Sequence, residues 1–558
     1  MRHLQTDLVV IGGGATGAGV ARDAAMRGFD VVLLERADIC QGTSARYHGL
    51  LHSGGRYVIS DPGSATECAS ENEIVKRINA DAVEDTGGFF VQTPEDPDDF
   101  AEQFYSAAKS AGLYCEEVPV AQALKEEPLL NPGIKRAFRV ADGSIDGWKI
   151  VWGNIESAKA YGAKALPYHR VTEIVVKDSA VQAVKATDEK TGEEVLVDCN
   201  YVINAAGPWA GQVAEMAGCP GVEVVPGRGI MIGFNQRLVH RVINRCVNPS
   251  DGDILVPGHP ICVIGTTDQA AVKPDFLAIK PQEVQKMLDK GAVLVPALRE
   301  ARPIHVWSGA RPLLKDSRVS ATDTRHMSRG MAVIDHFDRD GVRGLSTVAG
   351  GKFTTYRLMA KNIVDDMCHQ LGEDRPCRTA DEPVPPAKSG RLSHLSDRLA
   401  KREADRHDEP IICECELVNR KMILDKLAKH PDANIDDLRR QLRIGMGPCQ
   451  GTFCASRTAG IIHEFRKSQE GADPAATADV SSTMLQLFLS NRMGGVAPIL
   501  YGQLATEVAV KEWVAGTLNI EHLPKPSTAA KRATGDLALN HGIDRDEPES
   551  APVEGAAK

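Results

Sequence analysis

Four cysteines stand at spacings that could hold a metal centre: Cys413 and Cys415 form one pair, and Cys449 and Cys454 follow after thirty-three intervening residues. Four thiolates match the count for a [2Fe-2S] cluster. Tetrahedral zinc also takes four thiolates and stays a rival on spacing alone, although a C-x-C bite is uncommon for it. Gly445, Gly447 and Gly451 lie among the ligands, where bare backbone can bring N–H groups to the sulfurs and adjust a cluster's potential. At the other end of the chain Gly12, Gly14 and Gly17 have G-x-G-x-x-G spacing, and Glu35 follows eighteen residues after the last of them. That pattern lets a turn tighten against a pyrophosphate and sets a carboxylate against an adenosine ribose. A two-electron cofactor at one end and a one-electron centre at the other imply a flavin dehydrogenase that hands electrons on to a partner.

These groups need elements to position them. Asp7 to Ile11 reads as a buried parallel strand, Ala18 to Arg27 as a helix and Val31 to Leu34 as a second strand with Glu35 at its tip. At 558 residues, three or four domains are expected. A net charge of −10 argues against a nucleic-acid partner, so an anionic ligand has to be held by a local basic cluster. The first strand begins almost at Met1, and thirteen cysteines read as thiols and metal ligands, so the expectation is a cytoplasmic protein. No apolar run approaches the roughly 18 residues of a spanning helix, so any membrane contact is expected to be peripheral or through another subunit.

After the second strand the chain does not repeat the strand–helix unit. It enters Gly42-Thr43-Ser44-Ala45-Arg46-Tyr47-His48-Gly49-Leu50-Leu51-His52-Ser53-Gly54-Gly55-Arg56-Tyr57, which favours FAD over NAD. This segment resembles the second signature of FAD-dependent glycerol-3-phosphate dehydrogenases. Val202 to Trp209, Val306 to Leu313 and Gly350 to Arg357 resemble three further motifs of that family, and together they cover roughly the first 365 residues. The resemblance implies a Rossmann-like α/β FAD-binding domain with an interleaved α+β substrate (cap) domain over residues 1–380. It implies flavin contacts from Gly12, Gly14, Gly17, Glu35 and Arg36, from Gly42, Thr43 and Ser44, from Ala206 and Gly207, and from Gly351, Lys352 and Thr354. Arg56 and Arg311 are implied as ligands of the substrate phosphate, Tyr57 as a hydroxyl donor and Lys352 as the cation near the flavin ring. His52 is the first candidate for proton transfer and His48 a weaker one.

The chain departs from the aerobic branch of that family at Arg228-Gly229-Ile230-Met231, where that branch carries Lys-Gly-Ser-His, and at Gly49, where it carries lysine. Both changes resemble the anaerobic branch. The cysteine-bearing unit, residues 410–465, is similar to the BFD-like ferredoxin domain, which strengthens the cluster over zinc. In the anaerobic branch such a domain sits on the catalytic component. The resemblance therefore implies oxidation of sn-glycerol 3-phosphate to dihydroxyacetone phosphate, with electrons delivered to quinone through a second flavin subunit plus a membrane-anchoring iron-sulfur subunit. It also brings FMN in as a further flavin of the complex. Residues 381–409 read as a linker, 466–523 as a helical C-terminal segment and 524–558 as a disordered tail. Two alternatives remain: a flavin amine dehydrogenase of the opine or proline type, and a non-catalytic electron-transfer flavoprotein.

Overall fold

The computed structural model describes residues 1–271, 273–275, 277–315, 330–385, 395–404 and 409–535. Strand β1, Arg2–Ile11, lies at the centre of an eight-stranded sheet. Its neighbours are β2, Val31–Leu34, and the strand Glu194–Asn204, both parallel to it. Leu345–Gly350 continues the parallel order beside the C-terminal end of Glu194–Asn204, so four strand ends and their turns open on the same edge of the sheet. Ligands of open α/β sheets bind at such an edge.

Helix α1, Ala15–Met26, begins three residues earlier than the sequence suggests and is buried along almost its whole length. Its alanines and glycines allow that. A Cβ on Gly17 would fall 1.8 Å from the Gly12 carbonyl oxygen, and one on Gly19 would come within 3.1 Å of Tyr356 and Ala360. The small residues thus let α1 lie between the sheet and the helices Gly147–Ala160 and Tyr356–Leu371.

The interleaved segments build a nine-stranded sheet over the first. Its strand Pro303–Leu314 runs antiparallel to Val224–Phe234 and sets Arg311 opposite Gly227. Arg228, on the strand that departs from the aerobic motif, is buried and donates to Gln269 and Glu283. It acts there as an anchor of the cap sheet.

The C-terminal region opens with the hairpin Ile411–Cys413 and Val418–Asn419, followed by three helices and then the helices Pro474–Gly494 and Gln503–Thr517. It is fastened to the flavin-binding domain by Arg440, 1 % exposed at its side chain, whose Nε donates to Asp38 at 2.7 Å and Nη2 to Asp437 at 2.7 Å. Tyr168 adds its hydroxyl to Asp437 at 2.5 Å.

The tail differs from the sequence expectation. Residues 524–535 carry a helix, Thr528–Thr534, capped by Ser527, with Ala530 and Thr534 buried. Its C-terminal carbonyl accepts from Asn434 Nδ2 at 2.7 Å, so tertiary contact supplies what the polar composition lacked. Residues 536–558 of the expected tail, and 386–394 and 405–408 of the linker, lie outside the described residues; Leu395–Ala404 within the linker is helical. Among the described residues no helix is long and apolar enough to cross a membrane.

Candidate active site

A cavity of about 1220 Å³ opens where β1, β2 and Leu345–Gly350 end beneath the cap sheet. Its floor is the glycine turn. Gly12 takes φ +112°, and a Cβ there would lie 2.6 Å from the Ala205 carbonyl oxygen. A Cβ on Gly14 would meet Ser44 Oγ at 3.2 Å, and Gly207 and Gly351 have φ of +55° and +71°. Side chains at these positions would fill the cradle, so the bare backbone keeps room for a dinucleotide at the start of α1. Glu35 faces the same turn, accepting from Gly13 N at 2.6 Å and Ala37 N at 2.9 Å. Each carboxylate oxygen keeps a second acceptor site for a ribose hydroxyl. These residues fit FAD.

Arg36, Gly42, Thr43 and Ala206 also line the cavity. Arg36 stacks on Trp209 at 4.1 Å and pairs with Asp275 at 3.0 Å. Two expected contacts do not line it. Gly17 packs against the Gly12 carbonyl and serves the closeness of α1 to the turn. Thr354 is fully buried, and its hydroxyl accepts the His52 backbone N–H at 3.0 Å, so it supports the histidine loop from below.

All five residues expected at the reaction centre line this one cavity. Arg56 directs Nη2 to both oxygens of Asp253, at 2.9 and 3.0 Å, and Nη1 to Asn244 at 3.4 Å. Arg311 directs Nη1 to Asp268 at 2.6 Å and to the Gly227 carbonyl at 3.3 Å. Its Nη2 reaches Thr266 Oγ1 at 3.0 Å and the Thr267 carbonyl at 2.9 Å. A Cβ on Gly229 would fall 2.7 Å from Arg311 Nη2, so this glycine makes the passage for the guanidinium. Both arginines bring positive charge, but the terminal nitrogens of Arg311 are already engaged, and a phosphate would have to replace one of these bonds. The anchoring acids Asp253 and Asp268 were missed in the sequence, since nothing near either one marks a partner that lies 197 or 43 residues away.

Lys352 Nζ sits 4.6 Å from the centre of the Tyr57 ring, and the His52 ring lies 5.3 Å from the same tyrosine. His48 stands 6.1 Å from His52. Burial, then the charges of Arg56 and Arg311, hold its pKa down to about 3, so its ring stays neutral. Leu50 N donates to His48 Nδ1 at 3.2 Å, which puts the ring proton on Nε2.

The four cysteine sulfurs form a ring at the C-terminal domain, with Cys413 hydrogen-bonded to Cys415 and Cys454, and Cys449 to the same two. Backbone N–H groups of Gly445 and Glu416 reach Cys413, and those of Gly451 and Phe453 reach Cys449. A Cβ on Gly447 would fall 2.7 Å from Cys415 Sγ. Four clustered thiols, two of them reached by pairs of backbone N–H groups and one set against the bare backbone of Gly447, are a donor set that fits an iron-sulfur cluster.

The FAD dependent oxidoreductase family matches residues 7–357, and the BFD-like [2Fe-2S] binding domain matches residues 411–464. The chain is similar to the A subunit of anaerobic glycerol-3-phosphate dehydrogenase from Escherichia coli K12, 38% identical over 533 residues, covering 91% of this chain and 96% of that protein. It is 37% identical over 551 residues to the A1 subunit of the anaerobic glycerol-3-phosphate dehydrogenase from Haloferax volcanii, covering 94% and 92%. Among solved structures, the FAD complex of glycerol-3-phosphate dehydrogenase from Bacillus halodurans shares the fold, with a TM-score of 0.54 and 21% identity over 97% of each chain.

Proposed function

From the premise that this chain belongs to the FAD-dependent oxidoreductases and, within them, to the catalytic components of anaerobic glycerol-3-phosphate dehydrogenases, we propose that it oxidises sn-glycerol 3-phosphate to dihydroxyacetone phosphate. FAD, when bound, supplies the hydride acceptor, and the [2Fe-2S] cluster a one-electron outlet. The observation that carries the reading is that Arg56 and Arg311 come from separate parts of the chain to the same cavity as the glycine turn. A substrate phosphate is met there by two arginines that do not lose their protons.

The residues divide the work as follows. Arg56, held by Asp253, takes phosphate oxygens through the N–H groups that Asp253 and Asn244 leave. Arg311 adds charge and gives up one cap-sheet bond when the substrate arrives. Lys352, over Tyr57, keeps positive charge where the flavin gathers electrons. His48 offers Nε2–H as a donor to a substrate oxygen and so is the wrong form for a base. Proton acceptance falls to the His52 ring, whose backbone is fixed by Thr354 below and by Asn72 Nδ2 on its carbonyl at 3.2 Å.

Membership in this family supports quinone as the eventual acceptor and FMN as a further flavin of the complex. It supports two partners, a second flavin subunit plus a membrane-anchoring iron-sulfur subunit. The chain would then work on the cytoplasmic side, held at the membrane through those partners. The deciding experiment is anaerobic stopped-flow absorbance of the FAD- and cluster-loaded protein mixed with glycerol 3-phosphate. Rapid bleaching of the flavin band followed by the cluster bands is expected. A protein that ignores this substrate and bleaches with proline or an opine would replace the reading with the amine dehydrogenase one.

A further inference from the structure

Strand Glu194–Asn204 ends on an asparagine that is fully buried and pairs in register with Thr347 of Leu345–Gly350. The Asn204 amide closes the turn that follows. Its Oδ1 accepts the Ala206 backbone N–H at 3.2 Å, and its Nδ2 donates to the Ala210 carbonyl at 2.8 Å. Ala206, Gly207, Pro208 and Trp209, which this staple encloses, all line the cavity beneath the cap sheet. The two backbone groups also fix which way the amide points, since only its oxygen can accept the N–H and only its nitrogen can serve the carbonyl.

The second Nδ2 proton goes to Thr347 Oγ1 at 3.1 Å. Thr347 Oγ1 stands 2.8 Å from His336 Nε2, and His336 Nδ1 stands 2.5 Å from Asp340 Oδ2. Thr347 and His336 are fully buried, whereas the Asp340 side chain is 14 % exposed and has Arg339 Nη1 at 3.7 Å. Because the threonine oxygen already accepts from Asn204, its hydroxyl proton goes to Nε2, which puts the ring proton on Nδ1 against the carboxylate. Every donor then points the same way, from Ala206 to Asn204, to Thr347, to His336, to Asp340. Hydrogen bonds aligned in this manner polarise one another in a low-dielectric interior, and a buried group dropped from the series is costly.

We propose that His336 and Thr347 are positioning residues of the flavin site, fixing the Ala206–Trp209 turn through Asn204 although neither lines the cavity. An asparagine amide turns easily about its last bond, and a hydroxyl turns more easily still. Thr347 removes the first freedom by holding Nδ2, and His336 removes the second by taking the hydroxyl proton. The turn carries Trp209, which stacks on Arg36 and donates Nε1–H to Asp275 at 3.1 Å, so a displaced turn also disturbs the wall beside Glu35.

The test reads flavin binding and does not depend on the identity of the substrate. FAD dissociation from the cluster-loaded full-length holoprotein is followed by the fluorescence of released flavin on dilution. The proteins compared are the wild type, Thr347→Val, Thr347→Ser, His336→Gln and the double variant of Thr347→Val with His336→Gln. Thr347→Val keeps the shape and removes the hydroxyl, and should raise the FAD dissociation constant about ten-fold and shift the visible band of the bound flavin. Thr347→Ser restores the hydroxyl and should bind FAD within about two-fold of the wild type. His336→Gln should weaken FAD binding too, and the double variant should be no weaker than Thr347→Val, because the two residues act in series. Where Thr347→Val does not fold, His336→Gln against the wild type carries the test. A lower melting temperature with undiminished FAD affinity and an unchanged flavin spectrum would leave these residues as supports of the fold alone and overturns the proposal. An additive loss in the double variant overturns it as well, since His336 would then act by another route.

Discussion

Arg56 and Asp253 meet through one terminal nitrogen of the guanidinium and both oxygens of a carboxylate that is 1 % exposed. The pair sets the direction of the arginine that faces the substrate. Asp253→Ala leaves a nearly buried cation without its partner, and such a loss costs about 3–5 kcal/mol. Asp253 also accepts the Ser250 backbone N–H at 2.6 Å, so the same change loosens that loop. Chemical denaturation should show a stability loss of that size. Asp253→Asn, which keeps the shape, should fold and raise the KM for glycerol 3-phosphate more than it lowers kcat.

Arg311 contributes charge through a guanidinium already tied to Asp268, Thr266 and Thr267. Arg311→Ala removes a charge-assisted contact worth about 1.5–3 kcal/mol, or roughly ten- to a hundred-fold in kcat/KM. Arg311→Lys keeps the charge and loses the fork that reaches several partners at once, so it should recover little. Both variants should still show the absorbance of bound FAD. Loss of the flavin together with activity would mean that Arg311 supports the cofactor and not the substrate.

His48 is held neutral in the fold, near pKa 3, by burial and by the cations Arg56 and Arg311, against an ordinary value of 6.5. Below pH 6.5 the unfolded chain takes up a proton at this site that the native protein refuses. Stability from this histidine is therefore full above pH 6.5 and falls by about 1.4 kcal/mol for each pH unit below it, until about pH 3. Unfolding free energies measured from pH 7 to pH 4.5 should show this slope, and His48→Gln should flatten it. An unchanged slope in the variant would show that His48 is protonated alongside its neighbours.

The glycine turn, Glu35 and the cysteine pairs were legible because each constraint is local: a positive φ at Gly12, bare backbone at Gly447 beside a sulfur, a carboxylate at a strand tip. The convergence of Arg56, Tyr57, His52, Arg311 and Lys352 rested on the family resemblance, since no short-range pattern joins residues about 300 positions apart. Thr354 stands in a flavin motif, and what the structure adds is that its hydroxyl accepts the His52 backbone N–H one layer down. The tail helix and a second cavity, between the domains, depend on surfaces that exist only after docking, and nothing local to Arg46 within the second signature marks that it lines that cavity with residues of the C-terminal region.

Gly447→Ala tests the cluster site without touching a ligand. The added methyl would fall 2.2 Å from Cys415 Cβ and 2.7 Å from its sulfur, with a ligand's own backbone behind them, so the sulfur has to move. The purified variant should keep FAD at full stoichiometry and lose most of its iron. Full iron content with an unaltered visible spectrum would show that the ring of sulfurs has more freedom than these contacts allow.

His52 and Thr354 provide the sharpest division between chemistry and support. His52→Gln removes the ring assigned as proton acceptor while keeping a side chain that can hydrogen-bond, and general-base loss lowers kcat by roughly 10²–10⁴. Thr354→Val leaves the ring in place but strips the half-buried His52 N–H of its acceptor, a cost of about 1 kcal/mol borne by the loop. If the loop yields, the ring shifts and kcat falls with the pH profile unchanged; if it holds, stability alone falls. His52→Gln should instead abolish the rise of kcat/KM with pH that a histidine general base gives. Retention of that rise in His52→Gln would move the base to another group or to water, and would leave His52 a substrate contact.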